Sequence, residues 1–287
     1  MLLNIVRSVL LGGAILWSAV GCTTVPETGR SQLIMVSSQE EAQMGLAAFQ
    51  QIKEEEKVST NVMAIDRVNR VGRRIAASVG RSLPDAKWEF VVFESEDLNA
   101  FALPGGKVGV YTGLLDLAES DDELAAVMGH EIAHVTSRHS AERMSQQMVA
   151  GLTAAGAEVY MESQDVDHKN RAIARAVLGV GTTVGVMLPF SRLHESEADA
   201  IGLKFAAGAG YDPRAAITFW QKMKAASEGE GRPPEFLSTH PSPDNRIERL
   251  KALAPEVMPL YRQAKKKFDA EEMKPIADRE IGANPGR

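Results

Sequence analysis

The sequence lacks features that several classes of protein require. Cys22 is the only cysteine among 287 residues, so no disulfide can form within the chain. The formal net charge is −6, and the basic residues are scattered apart from a short run at 265–267. Nucleic-acid-binding surfaces carry clustered positive charge, so we predict no nucleic-acid partner. The apolar stretch at 176–190 is shorter than the about 20 residues that span a bilayer. With 44% hydrophobic residues, the chain can still bury a substantial core.

Residues 1–21 are typical of a targeting segment rather than of a folded domain. Arg7 precedes an apolar run at 9–20, and small residues lead up to Cys22. The four residues that end at this cysteine, Ala-Val-Gly-Cys, resemble a bacterial lipobox, which predicts cleavage before Cys22 and its lipidation. Thr23, in place of aspartate, resembles the pattern of lipoproteins sent to an outer membrane. A simple secreted protein and an uncleaved anchor are the alternatives.

Proline, glycine and the hydrophobic patterns divide the rest of the chain. Residues 22–37 contain Pro26 and Gly29, and we predict that they form a tether between the anchor and the domain. The folded domain is placed at residues 38–253. A helical or flexible tail is expected at residues 254–287.

Within the domain, the local patterns predict helices at 38–57 and 61–79. Aromatic and β-branched residues predict a strand at 88–93. Two further strands, at 99–103 and 107–112, form a predicted hairpin joined through Pro-Gly-Gly. The chain beyond this hairpin is predicted to be helical. We therefore expect an α+β fold that is rich in helix and has one small β-sheet.

The most informative stretch, at 129–135, is Gly-His-Glu-Ile-Ala-His-Val, which contains H-E-x-x-H. On a helix, His130 and His134 share a face and can bind one Zn²⁺, while Glu131 lies beside the remaining coordination position. Zinc acidifies a bound water and the glutamate takes its proton, so the motif predicts metal-assisted hydrolysis. Residues 120–123, Ser-Asp-Asp-Glu, predict a capping box that starts this helix. The alternative is two helix histidines that contact only each other or solvent.

A catalytic zinc usually takes three protein ligands and a water. The metzincin continuation requires glycine at 137 and histidine at 140, and the chain has Ser137 and Ser140, so that class is excluded. The best candidate for the third ligand is Glu195, in a later helical segment. Asp199 lies four residues further on the same helix face, where it can orient a ligand imidazole.

Other titratable residues near these motifs are given structural roles. Glu197 projects away from the face of Glu195 and is predicted to be solvated. His139 and His194 match the ligand faces poorly and are expected to be structural histidines. His168 lies in a polar stretch and is expected at the surface.

Together the motifs resemble the HtpX-like and CAAX-prenyl-endopeptidase-like family of zinc metallopeptidases. The resemblance covers about residues 38–252. It is carried by Asn99-Ala100-Phe101, by His130-Glu131-x-x-His134, by Ser191-Arg192 followed by Glu195-x-x-x-Asp199, and by Ser238-Thr239-His240-Pro241 with Arg246.

This resemblance implies a zincin-type domain whose small sheet lies beside the active-site helix. It implies one Zn²⁺ per chain, with His130, His134 and Glu195 as ligands. Glu131 is then the general base, and Asp199 supports a ligand imidazole. The membrane-embedded members have several spanning helices, and this chain is expected to have none after residue 21. It is therefore similar to an exported, lipid-tethered branch.

The resemblance also supplies His240 and Arg246 as groups for the oxyanion of the tetrahedral intermediate. A purely structural role for His240 stays open. If it donates to the oxyanion, it is catalytic; if it occupies the fourth position of zinc in a resting state, it holds the enzyme latent. We predict the donor role. Asn99, Ala100 and Phe101 are possible substrate contacts, because an edge strand can pair with an extended peptide.

The sequence thus predicts a zinc-dependent endopeptidase. It is expected to be a lipoprotein of the outer membrane that faces the periplasm. The resemblance implies polypeptide substrates, quality control of misfolded or misassembled envelope proteins, and contact with the envelope-assembly machinery. The membrane contact is expected through the lipid on Cys22. One alternative is a chaperone or assembly factor with little or latent proteolytic activity. Another is hydrolysis of a different bond, such as an amide in cell-wall peptide.

Overall fold

The computed structural model describes residues 21–164, 168–172, 175, 179, 188–229, 236–237, 240 and 245–272. Its helices are α1 (Ser38–Glu55), α2 (Val62–Val79), α3 (Thr112–Leu117), α4 (Asp121–Thr136), α5 (His139–Ser163), α6 (Leu188–Gly208), α7 (Ala215–Gly229) and α8 (Arg246–Glu272). Its strands are β1 (Gly21–Thr24), β2 (Ser31–Ile34), β3 (Glu89–Phe93), β4 (Ala100–Leu103) and β5 (Lys107–Tyr111). The predicted helix-rich α+β class is confirmed. The targeting segment at 1–20 and most of the stretch at 176–187 lie outside the described residues.

The three-stranded sheet has the order β3–β5–β4, with β3 parallel and β4 antiparallel to β5. The predicted hairpin is therefore confirmed, with Phe101 opposite Gly109. Gly105 and Gly106 form its turn with φ values of +88° and +84°, a backbone conformation that glycine adopts without steric cost. β4 is one of the two edge strands and packs against α4, so this edge of the sheet borders the helix that carries H-E-x-x-H.

Helix α4 lies at the centre of the domain and packs against α2, α6 and α7. Its apolar positions Leu124, Met128 and Ile132 are fully buried, as their helical spacing predicts. The Ser120 side chain caps the helix by accepting a hydrogen bond from the backbone N–H of Glu123. The Glu123 carboxylate accepts from the N–H of Glu119 at 2.8 Å rather than from that of Ser120, so half of the predicted capping box forms.

Helices α4 and α6 approach each other backbone to backbone through two glycines. A Cβ atom on Gly202 would lie 2.8 Å from the backbone nitrogen of His130, and one on Gly129 would lie 2.8 Å from the carbonyl oxygen of Gly202. Side chains at either position would therefore force the helices apart. Glu195 lies two helical turns before Gly202, so it faces α4 as well.

The hairpin formed by β1, β2 and the turn between them is part of the fold. Strands β1 and β2 pair in antiparallel fashion, with the backbone of Cys22 opposite Leu33. Val25 in the intervening turn is fully buried, and Arg30 forms ion pairs with carboxylates on α5 and α6. The prediction of a tether at 22–37 is therefore wrong, because core burial and ion pairs fix this hairpin and Gly29 serves its turn with φ of +70°.

The C-terminal boundary also differs from the prediction at 253/254. Helix α8 runs without interruption through Pro255 and Pro259 to Glu272, and it packs against α6 and α7. Ala254 and Val257 are buried, so the first part of the predicted tail belongs to the domain. None of the helices in the described part of the chain is both long and apolar enough to cross a membrane.

Candidate metal centre

Four side chains from three parts of the chain bring metal-binding atoms together. His130 and His134 come from α4, Glu195 from α6, and His240 from the segment before α8, and one ligand atom of each lies within 4.8 Å of the others. Three of these residues are the ligands that the sequence predicts. His240 joins them as a fourth potential ligand.

The spacing of these atoms is close to that of donor atoms around one divalent ion. His130 Nε2 lies 3.1 Å from His134 Nε2 and 3.4 Å from Glu195 Oε2, and His134 Nε2 lies 3.4 Å from the other oxygen, Glu195 Oε1. Ligand bonds of about 2.0–2.1 Å at tetrahedral angles place neighbouring donor atoms about 3.3–3.4 Å apart. His240 Nδ1 lies 3.1 Å from Glu195 Oε1. The side chains present therefore suit a metal held by nitrogen and carboxylate ligands.

The charge states of the ligands also suit a cation. Burial would raise the pKa of Glu195, but hydrogen bonds from His130 and His240 outweigh it and hold this pKa well below its usual value. Burial and the neighbouring His130 lower the pKa of His134 well below its usual value. Burial also lowers the pKa of His130, yet Asp199 and Glu195 raise it to about 9.

Glu131 lies beside the cluster without a partner for one of its oxygens. Its side chain is buried, and Oε1 accepts no hydrogen bond from any described group. His240 Nε2 lies 3.6 Å from that oxygen. Burial raises the pKa of Glu131, which brings it closer to the value that a general base needs near neutral pH. Burying a carboxylate oxygen without a hydrogen-bond partner lowers the stability of the fold. The free oxygen of Glu131 therefore points to a function.

Asp199 and Arg246 lie directly behind the ligands. Asp199 Oδ1 is 3.0 Å from His130 Nδ1, which turns Nε2 of the ring towards the other ligands. The Arg246 guanidinium donates to Asp199 at 2.5 Å and lies 3.4 Å from Glu195 Oε2. Its side chain is 1% exposed and lies over the Trp220 ring, with 3.4 Å between the guanidinium carbon and the ring centroid.

Glu197, which the sequence predicts to be solvated, is buried. It does project away from the metal ligands, but the N-terminal hairpin covers that side of α6, and Arg30 Nε lies 2.9 Å from its Oε2. His139 Nε2 lies 3.0 Å from the same oxygen, and His139 Nδ1 lies 2.8 Å from His134 Nδ1. Burial lowers the pKa of His139 to about 4. Sequence reasoning missed these contacts, because Arg30 lies in a segment that resembles a linker.

The predicted substrate contacts Asn99, Ala100 and Phe101 lie at the start of β4. Ala100 is buried, and the carbonyl of Asn99 accepts a hydrogen bond from the Tyr111 N–H at 3.1 Å. The Phe101 ring packs edge-on against Phe49, with 6.2 Å between centroids. The three residues thus lie at the edge of the sheet beside α4. Their role in substrate binding stays a prediction.

Comparison with known proteins identifies the family of this chain. The chain matches peptidase family M48 over residues 64–254, a range that includes the H-E-x-x-H motif and Glu195. It is 41% identical over 189 residues to the mitochondrial metalloendopeptidase OMA1 of Schizosaccharomyces pombe, covering 66% of this chain and 52% of the relative.

Two further relatives align over more of the chain. The beta-barrel assembly-enhancing protease of Escherichia coli K12 is 31% identical over 248 residues, 85% of this chain and 50% of the relative. OMA1 of Saccharomyces cerevisiae is 31% identical over 273 residues, 90% of this chain and 76% of the relative. The chain spans about half the length of the first two relatives. The chain therefore belongs to peptidase family M48.

Proposed function

We propose that this protein is a zinc-dependent endopeptidase of the bacterial cell envelope that degrades misfolded or misassembled envelope proteins. The observation that carries the proposal is the free, buried oxygen of Glu131 beside three converging metal ligands. The choice of zinc rests on two imidazoles and one carboxylate whose ligand atoms lie within 4.8 Å of one another, a ligand set typical of catalytic zinc. We also propose that, within family M48, this protein resembles the HtpX-like enzymes.

The chain's own residues divide the chemistry between them. A bound Zn²⁺ would polarise the scissile carbonyl and lower the pKa of a water molecule. Glu131 accepts the proton of the attacking water at its free Oε1 and returns it to the leaving amine. Asp199 and Arg246 keep His130 and Glu195 in place during this cycle.

The substrate class follows from the sheet edge. β4 pairs on one side with β5 and packs against α4, so its other backbone edge suits an extended peptide that adds as a further strand. Such binding uses backbone hydrogen bonds and reads side chains weakly. It therefore suits unfolded polypeptides more than one defined sequence.

The envelope location rests on the predicted lipobox and on the name of the Escherichia coli relative, a beta-barrel assembly-enhancing protease. Cys22→Ser is expected to release the protein from membranes, because lipid alone would hold it there. Failure of labelled fatty acid to enter the wild-type protein would overturn this part of the proposal.

A second candidate function is that of an assembly factor whose proteolysis is latent. The observation that favours it is the position of His240, which lies 3.1 Å from Glu195 and shares the ligand cluster. As a fourth ligand, His240 would exclude the attacking water. This role is compatible with an intact protease that becomes active when the His240 side chain leaves the ligand cluster.

The test compares metal content with proteolysis in the same preparations. Wild-type protein is expected to bind about one Zn²⁺ per chain and to cleave unfolded casein. Glu131→Gln should keep the zinc and lose about 10²-fold or more in rate, because it removes the base and no ligand. Glu248→Gln, on the exposed side of α8, is the matched control. Full activity in Glu131→Gln would refute the proposed mechanism.

A further inference from the structure

A second polar cluster lies behind His134, and the proposed chemistry does not use it. It consists of His139 and Glu142 on α5 and His194 and Glu197 on α6. These four side chains are between 1% and 7% exposed, so they are buried as deeply as the metal ligands. The rings of His139 and His194 stack with 4.1 Å between centroids.

One residue of the N-terminal hairpin holds both carboxylates of this cluster. Arg30 Nη1 and Nη2 donate to the two oxygens of Glu142 at 2.9 and 2.7 Å, and Arg30 Nε donates to Glu197 at 2.9 Å. The Thr28 hydroxyl donates to the other oxygen of Glu197. The planar guanidinium can bridge the two carboxylates because its donors point in fixed, divergent directions.

From Glu197 a chain of contacts reaches a metal ligand. Glu197 Oε2 lies 3.0 Å from His139 Nε2, and His139 Nδ1 lies 2.8 Å from His134 Nδ1. The opposite nitrogen of His134, Nε2, faces the metal-ligand cluster.

This series of contacts fixes the tautomers of the His139 and His134 rings. An ionised carboxylate can only accept hydrogen bonds, so Nε2 of His139 must carry the proton that points at Glu197. Neutral His139 then has a lone pair on Nδ1, which accepts from the Nδ1–H of His134. His134 is left with its lone pair on Nε2, the atom that faces the metal position.

We propose that the N-terminal hairpin is a working part of the metal centre, in which Arg30 acts as a positioning residue. Through Glu197 and His139 it sets the tautomer and the ring orientation of His134. The two ligand imidazoles thus have different supports, since His130 is held directly by Asp199. This inference rests on the proposed role of His134 as a metal ligand.

The test measures metal binding in the full chain and does not depend on activity. Zn²⁺ affinity is measured by competition with a chelator, and the absorption spectrum of the Co²⁺-loaded protein reports the geometry of the ligands. Arg30→Met should weaken Zn²⁺ affinity by about 10–100-fold and change the Co²⁺ spectrum, as loss of a group that supports a ligand does. Arg30→Lys should give an intermediate affinity, because one ammonium can pair with only part of the two carboxylates.

Arg67 provides a control at the N-terminal end of α4, where it pairs with Asp121. Its side chain is 21% exposed and pairs with Asp121, while that of Arg30 is 17% exposed and pairs with Glu142. Arg67→Met also breaks an ion pair, though with a carboxylate that is 34% exposed rather than 2% exposed, and it should leave Zn²⁺ affinity and the Co²⁺ spectrum unchanged. An equal loss of affinity in both variants would overturn the inference, because it would show a general effect of destabilisation.

A double-mutant cycle tests the route from Arg30 to His134. His139→Gln interrupts the series of contacts between Glu197 and His134. Adding Arg30→Met to the His139→Gln variant should therefore lower Zn²⁺ affinity by less than about threefold. Additive losses would overturn the proposed route. If Arg30→Met does not fold, Thr28→Val removes the hydroxyl that donates to Glu197 and accepts from the Arg30 N–H, and its expected loss of Zn²⁺ affinity is about threefold to tenfold. Wild-type affinity in a folded Thr28→Val variant would then refute the inference.

The outcomes separate the two proposals. Loss of zinc in His134→Ala together with wild-type affinity in folded Arg30→Met would reject the positioning role and leave the proposed peptidase intact. Retention of zinc in His134→Ala would reject the ligand assignment itself, and the inference would fall with it.

Discussion

Arg246 and Asp199 form a buried ion pair beside His130 and Glu195, with Nη2 and Oδ1 2.5 Å apart. Burial would raise the pKa of Asp199, but the charge of Arg246 and the hydrogen bond from His130 outweigh it and lower that pKa. Asp199 therefore stays ionised and continues to accept from His130. Because the Arg246 side chain is 1% exposed, its position favours support of the ligands over direct contact with a substrate.

Arg246→Met should accordingly weaken metal binding. The substitution leaves Asp199 buried without its cation, which costs about 3–5 kcal/mol of folding stability, and Zn²⁺ affinity should fall about 10–100-fold. Chelator competition and urea unfolding measure the two effects. Asp199→Asn should show the same loss of affinity. A variant of Arg246 with unchanged affinity and a kcat lowered by about 10²–10³-fold would instead support the oxyanion role.

His240→Ala should raise proteolytic activity while keeping the metal. Its ring stacks on Phe236 with 4.7 Å between centroids and places Nδ1 among the ligands, so we expect it to hold a resting state. A resting contact of about 1 kcal/mol keeps most molecules closed, and its removal should raise the rate about fivefold. Steady-state kinetics with metal analysis checks this, and His168→Ala, at an exposed site, is the control. A kcat lowered by about 10²–10³-fold would restore the donor role predicted from the sequence.

The sequence predicts the parts of this site that depend on local spacing. His130 and His134 share a helix face, and so do Glu195 and Asp199, because residues four apart on one helix are neighbours whatever surrounds them. The strands and the starts of most helices follow from similar short-range patterns.

The environment of Glu197 could not be predicted in this way. Its contact with Arg30 joins residues 167 positions apart, and no periodic pattern marks such a pair. Helix geometry gives the direction in which Glu197 points but not what covers that side. Likewise, Pro26 and Gly29 are equally compatible with a linker and with the turn of a hairpin. The choice depends on carboxylates contributed by α5 and α6.

Gly202→Ala should disturb the metal centre without removing any of its ligands. The new Cβ would lie 2.8 Å from the backbone nitrogen of His130, and backbone cannot move aside as a flexible side chain can. We expect α4 and α6 to separate, with a loss of about 1–3 kcal/mol in stability and weaker Zn²⁺ binding. Gly151→Ala on α5 is the control, because its Cβ would meet no atom within 4 Å. Wild-type Zn²⁺ affinity in Gly202→Ala would show that the close approach of the helices does not set the ligand geometry.

Glu142→Gln should make the protein less dependent on pH in the acid range. Burial would raise the pKa of Glu142, but hydrogen bonds from His194 and Arg30 outweigh it and lower the pKa from its usual 4.5 to about 2. The ionised carboxylate therefore stabilises the folded state above pH 4.5, and this contribution disappears as the pH falls towards 2. Urea unfolding of metal-free protein at several pH values measures it as the difference between wild type and variant. The difference should be largest above pH 4.5 and shrink through that window. It should also be smaller at every pH in an Arg30→Met background, since that variant already lacks one partner of Glu142. A difference that stays constant from pH 6 to about 2 would mean that ionised Glu142 does not stabilise the fold.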